Sequence, residues 1–214
     1  MANQRVLVVE SQPLVLGLIR ALLTNAGMQV AAASSSAEAQ KLFTSFAPDV
    51  LVTDVELGPA DSGLDLAHAL STQKPNLHVV FLTDLPDFRP LGDCKKKLPR
   101  KFAFLNRSLL ADPKRLLQAI EAAGSPAQIK AFRDDKQKSS DLSSVSRIQL
   151  EVLRLVAMGL TNQEIADARN VTMRAVEALI TRTASVLNIH QEPGSNSRVK
   201  LARAFIREAG LPQL

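Results

Sequence analysis

The chain has 214 residues, 46% apolar and 22% charged, which excludes a disordered tail and leaves apolar material for one large or two small packed domains. One cysteine, Cys94, three scattered histidines (His68, His78, His190) and no Trp or Tyr exclude an internal disulfide, a Cys/His zinc site and an aromatic platform for single-stranded nucleic acid. The net charge of +5 is uneven: residues 1–124 hold 13 Lys/Arg against 12 Asp/Glu and residues 125–214 hold 13 against 9, so the basic excess, of the kind that attracts a phosphate backbone, sits C-terminally.

The start, MANQRVLVVE, passes from a polar tetrapeptide straight into a strand-like run, and no apolar stretch approaches the ~20 residues of a membrane span. A cytoplasmic protein with no membrane partner is expected. Up to residue 124, β-branched runs alternate with helical periods: RVLVVE (5–10), MQVAAAS (28–34), DVLVTD (49–54), LHVVFLTD (77–84) and KFAFLNR (101–107). Leu14, Leu16, Leu18, Ile19, Leu22 and Leu23 predict an apolar helix face stopped at Asn25-Ala26-Gly27. Ser36 is expected to cap a second helix carrying Leu42, Phe43 and Phe46 and ended by Pro48. Further helices are expected at 63–73 and 112–123, the latter with Asp112 as cap and Pro113 in its first turn. Between strands four and five, DLPDFRPLGDCKKKLPRK breaks helical registers with Pro86, Pro90 and Pro99, predicting a loop or a stunted helix.

Residues 125–143 are polar and Ser-rich and read as a linker between domains at 1–124 and 144–214. From Ser146 the pattern is helical. One helix carries Ile148, Leu150, Val152, Leu153, Leu155 and Val156 and breaks at Met158-Gly159; Thr161 caps a second with Ile165 and Ala166. Thr172 caps a third with Val176, Leu179, Ile180 and Leu187 as core, and a fourth carries Val199, Leu201, Ala202, Phe205 and Ile206. The fold class is therefore α/β, a flavodoxin-like, doubly wound, five-stranded parallel sheet, followed by a small all-α four-helix domain.

In an open parallel sheet, ligands gather at the C-terminal strand ends. Those ends carry Glu10-Ser11, Asp54, Thr83-Asp84 and Asn106-Arg107. Carboxylates beside a hydroxyl and a cation suit a divalent metal and a phosphoryl group. Polar residues also end strands simply where the chain meets water, and the residues alone leave both readings open.

Glu10-Ser11, LVTD ending in Asp54, FLT ending in Thr83 and AFLNR with Phe104 and Arg107 resemble, over roughly residues 4–124, the receiver domain of two-component response regulators. The resemblance implies Asp54 as phospho-acceptor and Thr83 as the hydroxyl that follows the phosphoryl group. It implies Phe104 as the aromatic switch position, Glu10 with Asp54 as Mg²⁺ ligands, and a sensor histidine kinase as partner. Two positions depart from it. Ser11 replaces the usual second acid, so Mg²⁺ is expected to bind more weakly unless Glu10 or Glu56 compensates, and Arg107 replaces a lysine, a planar fork in place of a point charge. A phosphorylation-independent regulator, its receiver-like domain a dimerisation or docking module, is the alternative. Asp54-Val55-Glu56 also resembles the D-x-D of aspartate-dependent phosphatases, but on the third strand and without that family's following threonine, so no enzyme is expected.

Residues 146–189, with EVLRLVAMGLTNQEIA, Val171-Thr172, Val176 and Val186-Leu187, are similar to the helix-turn-helix of LuxR-type regulators, the output half of NarL/FixJ response regulators. The resemblance implies a homodimer binding duplex DNA. It makes Met173 to Thr183 the recognition helix, presenting Arg174, Glu177, Ala178, Thr181 and Arg182 to the major groove after the Thr172 cap. Thr161, Asn162 and Gln163 would hold a phosphate on backbone amides. Lysine is common in the family where Glu177 stands, so Glu177 either reads a cytosine amino group or weakens binding. The last helix is expected to make a dimer contact through Leu201, Phe205 and Ile206, or to pack on its own domain. A pure protein-docking role for the helical domain is the reading from a different class.

Overall fold

The computed structural model describes residues 4–58, 61–91, 97–107, 112–122, 125, 127–136, 141–189, 196–210 and 212. The five apolar runs form β1 (Arg5–Val9), β2 (Gln29–Ala33), β3 (Val50–Thr53), β6 (His78–Thr83) and β7 (Phe102–Asn106). They pair in parallel in the order β2-β1-β3-β6-β7, with the reversal of strand order between β1 and β3 that defines a doubly wound sheet. Between β3 and β6 an antiparallel pair, β4 (Glu56–Gly58) and β5 (Asp61–Ser62), adds a small hairpin that the sequence pattern does not announce.

The helices are α1 (Pro13–Asn25), α2 (Ser36–Phe46), α3 (Gly63–Gln73) and α4 (Lys114–Ala122). Ser35, one residue before the expected Ser36, caps α2: its hydroxyl accepts from the Glu38 N–H, three residues on, while the Glu38 carboxylate accepts from the Ser34 N–H at 2.7 Å. Asp112 accepts from the Lys114 N–H at 2.8 Å, as expected. Val6, Val8, Val50, Val52, Val80 and Leu105 pack with Ile19 and Leu23 of α1 and Leu116 and Ile120 of α4 in one core. Leu14 and Leu18 are not part of the inward face of α1; at 75% and 62% exposed they lie across the helix from Ile19 and Leu23, as a 100° advance per residue requires.

Contacts divide the chain into two units. The first, which holds the sheet, takes in described residues 4–83 and 97–135. Where the sequence suggests a linker over 125–143, residues 127–135 instead pack on this unit: Ile129 is 6% exposed and joins its core, Asp134 is 4% exposed, and Arg133 bridges in parallel to Phe104 of β7. Two anchors are enough to hold a segment whose average composition is polar.

The second unit holds α5 (Arg147–Ala157), α6 (Asn162–Arg169), α7 (Met173–Val186) and α8 (Ser197–Ala209), together with residues 84–91. That last stretch is the expected stunted segment, a single turn at Arg89–Leu91. Leu85 and Phe88 are buried, and Arg89 donates to the carbonyls of Val145 (2.5 Å) and Leu142 (3.2 Å), just ahead of the Ser146 cap of α5. Leu150, Val156, Ile165, Val176, Leu201 and Phe205 form the helical core. Leu179, Ile180 and Leu187 are only half-buried, and Thr183 and Ala184 take the inward places of α7 beside Val176. Residues 190–195 and 137–140, parts of an expected loop and linker, lie outside the described residues.

Candidate functional sites

Asp54 follows β3 at the end of the sheet where strand order reverses, the place where Glu10 leaves β1. Asp54 is 8% exposed and Glu10 2%. Arg107, directly after β7, bridges them: its guanidinium donates to Asp54 Oδ2 at 2.5 Å and to Glu10 Oε2 at 3.2 Å. Asp54 Oδ1 accepts the main-chain N–H of Val55 (2.6 Å) and of Glu56 (3.3 Å), Glu10 Oε1 accepts that of Gln12 (2.9 Å), and the Thr83 hydroxyl hydrogen-bonds the Asp54 carboxylate. Thus Glu10, Asp54, Thr83 and Arg107 converge, while Glu56 is half-buried and meets Asp54 through its backbone. Phe104 is completely buried, its backbone bridged to Arg133.

Gly63, which sequence reasoning passes over as an ordinary helix start, makes the pocket possible. A Cβ there would lie 1.8 Å from the Asp54 carbonyl oxygen and 2.6 Å from Thr53 Oγ1, so only glycine lets α3 start against the acceptor's backbone.

Burial pushes the Asp54 carboxyl up to about 6, against the downward pull of Arg107 and the Thr83 hydroxyl. A carboxyl with a folded pKa above its unfolded one contributes stability that is full below about 4 and is lost as pH rises through about 6. Asp54→Asn, which cannot ionise, is therefore expected to gain stability over the wild type steadily between pH 4 and pH 6.5. Urea unfolding of both proteins in EDTA checks this; a difference that stays constant with pH contradicts it.

Receiver domains bind Mg²⁺ as a class. The oxygen donors here are Glu10 and Asp54, Ser11 adds no charge, and no group of three or more His, Cys, Asp or Glu side chains converges among the described residues. Arg107 already supplies the positive charge between the two carboxylates, so the set as arranged does not fit a divalent cation. Arg107→Lys, a compact charge that can step aside, is expected to raise Mg²⁺ affinity about tenfold, read as Mg²⁺-dependent stabilisation; equal stabilisation of both proteins contradicts it.

In the helical unit, α6 and α7 are joined through Asn170, at φ 52°, in the left-handed region that permits a tight turn. The Thr172 hydroxyl caps α7 on the Ala175 N–H at 3.3 Å. Arg174, Glu177, Ala178, Thr181 and Arg182 are all exposed along one side of this 14-residue helix. Arg182 Nε donates to its own helix at the Ala178 carbonyl (3.1 Å), and the Thr181 hydroxyl to that of Glu177 (2.9 Å).

At the start of α6, where a phosphate cradle is expected, the side chains are tied within the unit. Thr161 and Glu164 form a reciprocal capping box, so the Thr161 N–H is taken by the Glu164 carboxylate at 2.7 Å. Asn162 Oδ1 accepts from Arg198 of α8 at 2.6 Å, and Gln163 donates to Asp167 at 2.8 Å. Arg198, bonded also to the Leu160 carbonyl, is a cation at this site that the spacing of the helix-turn-helix motif does not reveal. In α8, Leu201 and Phe205 are buried within their own unit, so they are not a free dimer stripe; Ile206 is half-buried and Val199 is exposed.

The family described as the response regulator receiver domain matches residues 6–89, and that described as bacterial regulatory proteins of the luxR family matches residues 143–202. The oxygen regulatory protein NreC of Staphylococcus epidermidis is 27% identical over 176 residues, covering 77% of this chain and 81% of that protein; NreC of Staphylococcus aureus is 26% identical over 179. Among solved structures, RcsB from Salmonella enterica serovar Typhimurium bound to promoter rprA with a phosphomimetic superposes with a TM-score of 0.59 at 20% identity, over 94% of this chain and 98% of that one. This chain belongs to the NarL/FixJ-type two-component response regulators, a receiver domain followed by a LuxR-type helix-turn-helix. The family regulates transcription rather than catalysing a reaction, and no helix among the described residues is long and apolar enough to cross a membrane.

Proposed function

We propose that the chain binds duplex DNA by laying α7 in the major groove, as a homodimer on paired half-sites, and that Asp54 in the receiver domain regulates this binding. The observation that carries the reading is the exposed row Arg174, Glu177, Ala178, Thr181 and Arg182 on a capped helix behind a tight turn. Arg174 and Arg182 contact phosphates or guanine edges, Ala178 a thymine methyl, Thr181 a base or phosphate, and Glu177 a cytosine amino group. Thr161, Asn162 and Gln163 approach the backbone together with Arg198, the cation offsetting Glu164 at the start of α6. The exposed Leu14 and Leu18 of α1 support a second copy of the chain as partner.

At Asp54 a carboxylate oxygen attacks the phosphorus of a donor, a sensor histidine kinase or acetyl phosphate, and the donor leaves with the electron pair of its bond to phosphorus. Thr83 and Arg107 then hold the phosphoryl oxygens. The Arg107 bridge to both carboxylates favours a second reading, regulation without phosphorylation, because the acceptor is already neutralised. Intact mass after incubation with acetyl phosphate and Mg²⁺ decides between them. A phosphoryl adduct that Asp54→Asn loses is expected; absence of any adduct, also after phosphotransfer from the cognate kinase, leaves the phosphorylation-independent regulator.

A further inference from the structure

We propose that Asp134 is a positioning residue of the acceptor pocket: it clamps residues 129–135 to the outer edge of β7 beside Asn106, so that this segment, the first stretch of chain leading to the helix-turn-helix, responds to the state of Asp54. The proposal deepens the reading of Asp54 as the regulatory site and takes its regulatory meaning from it, while the clamp stands on its own geometry.

In a strand, the N–H and C=O of alternate residues point to opposite edges. Phe104 bridges outward to Arg133, so Asn106, two residues on, also points its N–H outward, and Asp134 Oδ2 accepts it at 3.1 Å. Asp134 Oδ1 accepts from Arg115 of α4 at 2.6 Å. The Asp134 side chain is 1% exposed, so its charge is tolerated only while these donors hold it; losing one leaves a buried carboxylate that can recover solvation only if the segment lets go. The clamp therefore has two states, on or off, with little between. Arg133 adds to the closed state, its guanidinium 4.0 Å over the Phe102 ring and paired with Asp135 at 2.7 Å.

Asn106 stands one step from both groups that hold the acceptor. Its neighbour in the chain is Arg107, bonded to Asp54, and its partner in the β6–β7 ladder is Thr83, whose hydroxyl also bonds Asp54. Negative charge added at Asp54 draws Arg107 from Glu10 and pulls on Thr83, and both displacements act on the residue whose N–H Asp134 holds. Coupling of this kind is reciprocal, so freeing the segment also alters the pocket.

The test is amide hydrogen exchange on the full-length chain. Asp134→Ala is expected to raise exchange over residues 129–135 by about tenfold, with β1 and β3 unchanged. Arg115→Gln, which removes a donor on the half-exposed side, reads the same amides should Asp134→Ala loosen the whole domain. Arg107→Gln, which disturbs the pocket without phosphorylation, is expected to raise exchange in the same segment several-fold, and Asp134→Asn to shift the Asn106 and Arg107 amide resonances. Unchanged protection in both Asp134→Ala and Arg115→Gln overturns the clamp; release in these with no response to Arg107→Gln overturns the coupling and leaves a plain structural strap. A segment that responds to Arg107→Gln but not to beryllofluoride supports the clamp and counts against Asp54 as acceptor.

Discussion

Replacing Arg174 and Arg182 together by alanine is expected to lower affinity for duplex DNA by about a hundredfold. Both side chains are exposed on α7, and neither is paired with a carboxylate among the described residues. Each, as a bidentate base contact or a phosphate contact, is worth about tenfold or more. Eight residues apart on a helix they stand about 12 Å apart, far enough for their losses to add. Among the described residues Arg182 is tied through Nε, to the Ala178 carbonyl, which leaves its terminal nitrogens available to a ligand. If both contacts are to phosphates, the slope of log affinity against log salt becomes shallower by about 2. Fluorescence anisotropy with a labelled duplex at several salt concentrations measures both quantities, and circular dichroism checks that α7 is intact, as alanine at exposed helical positions predicts. Unchanged affinity, or binding indifferent to salt, would falsify the recognition-helix assignment and favour a helical domain that docks on a protein.

Gly63→Ala unfolds or severely weakens the receiver domain. The new methyl meets the Asp54 carbonyl oxygen at 1.8 Å and Thr53 Oγ1 at 2.6 Å, and the first of these is backbone, with no rotamer to retreat to. Either α3 withdraws from the end of β3, losing the Gly63 N–H bond to the Val55 carbonyl, or the acceptor loop moves; overpacking of this severity costs about 3 kcal/mol. That amounts to a fall in melting temperature of roughly 10 °C for a domain of this size. Gly17→Ala is the contrasting control: nothing stands within 4 Å of its added Cβ on α1, and it is expected to stabilise by roughly 0.5–1 kcal/mol through reduced backbone entropy. Thermal unfolding followed by circular dichroism reads both. Equal melting temperatures for Gly63→Ala and wild type would mean that the acceptor loop yields without cost.

Much of this architecture was legible in the chain itself. Strands buried on both faces must be apolar throughout, which is why RVLVV, VLVT, HVVFLT and FAFLN declare a parallel sheet, and strand ends that face the switch crevice are where Glu10, Asp54 and Thr83 stand. Helix caps are equally local, a hydroxyl three residues before the N–H it accepts, so Thr161 and Thr172 mark α6 and α7 directly. The one-residue error at Ser35 arose because three consecutive serines offer the same hydroxyl and only Glu38 selects among them.

What the tertiary structure decided are relations between residues far apart in sequence, for which a chain carries no periodic signal. Arg107 reaches across 97 residues to Glu10 and 53 to Asp54, turning a metal-like acidic pair into an ion-paired triad. Gly63 matters only because the end of β3 lies against it, and residues 84–91 belong with the helices only because Arg89 finds the carbonyls of Leu142 and Val145. Residues 127–135 read as linker by composition, since one isoleucine and one aspartate in a polar stretch barely change an average. The core gives Ile129 its place, and the Asn106 N–H at the edge of β7 together with Arg115 of α4 gives Asp134 its own; a few specific bonds at an edge outweigh the solvation that composition favours.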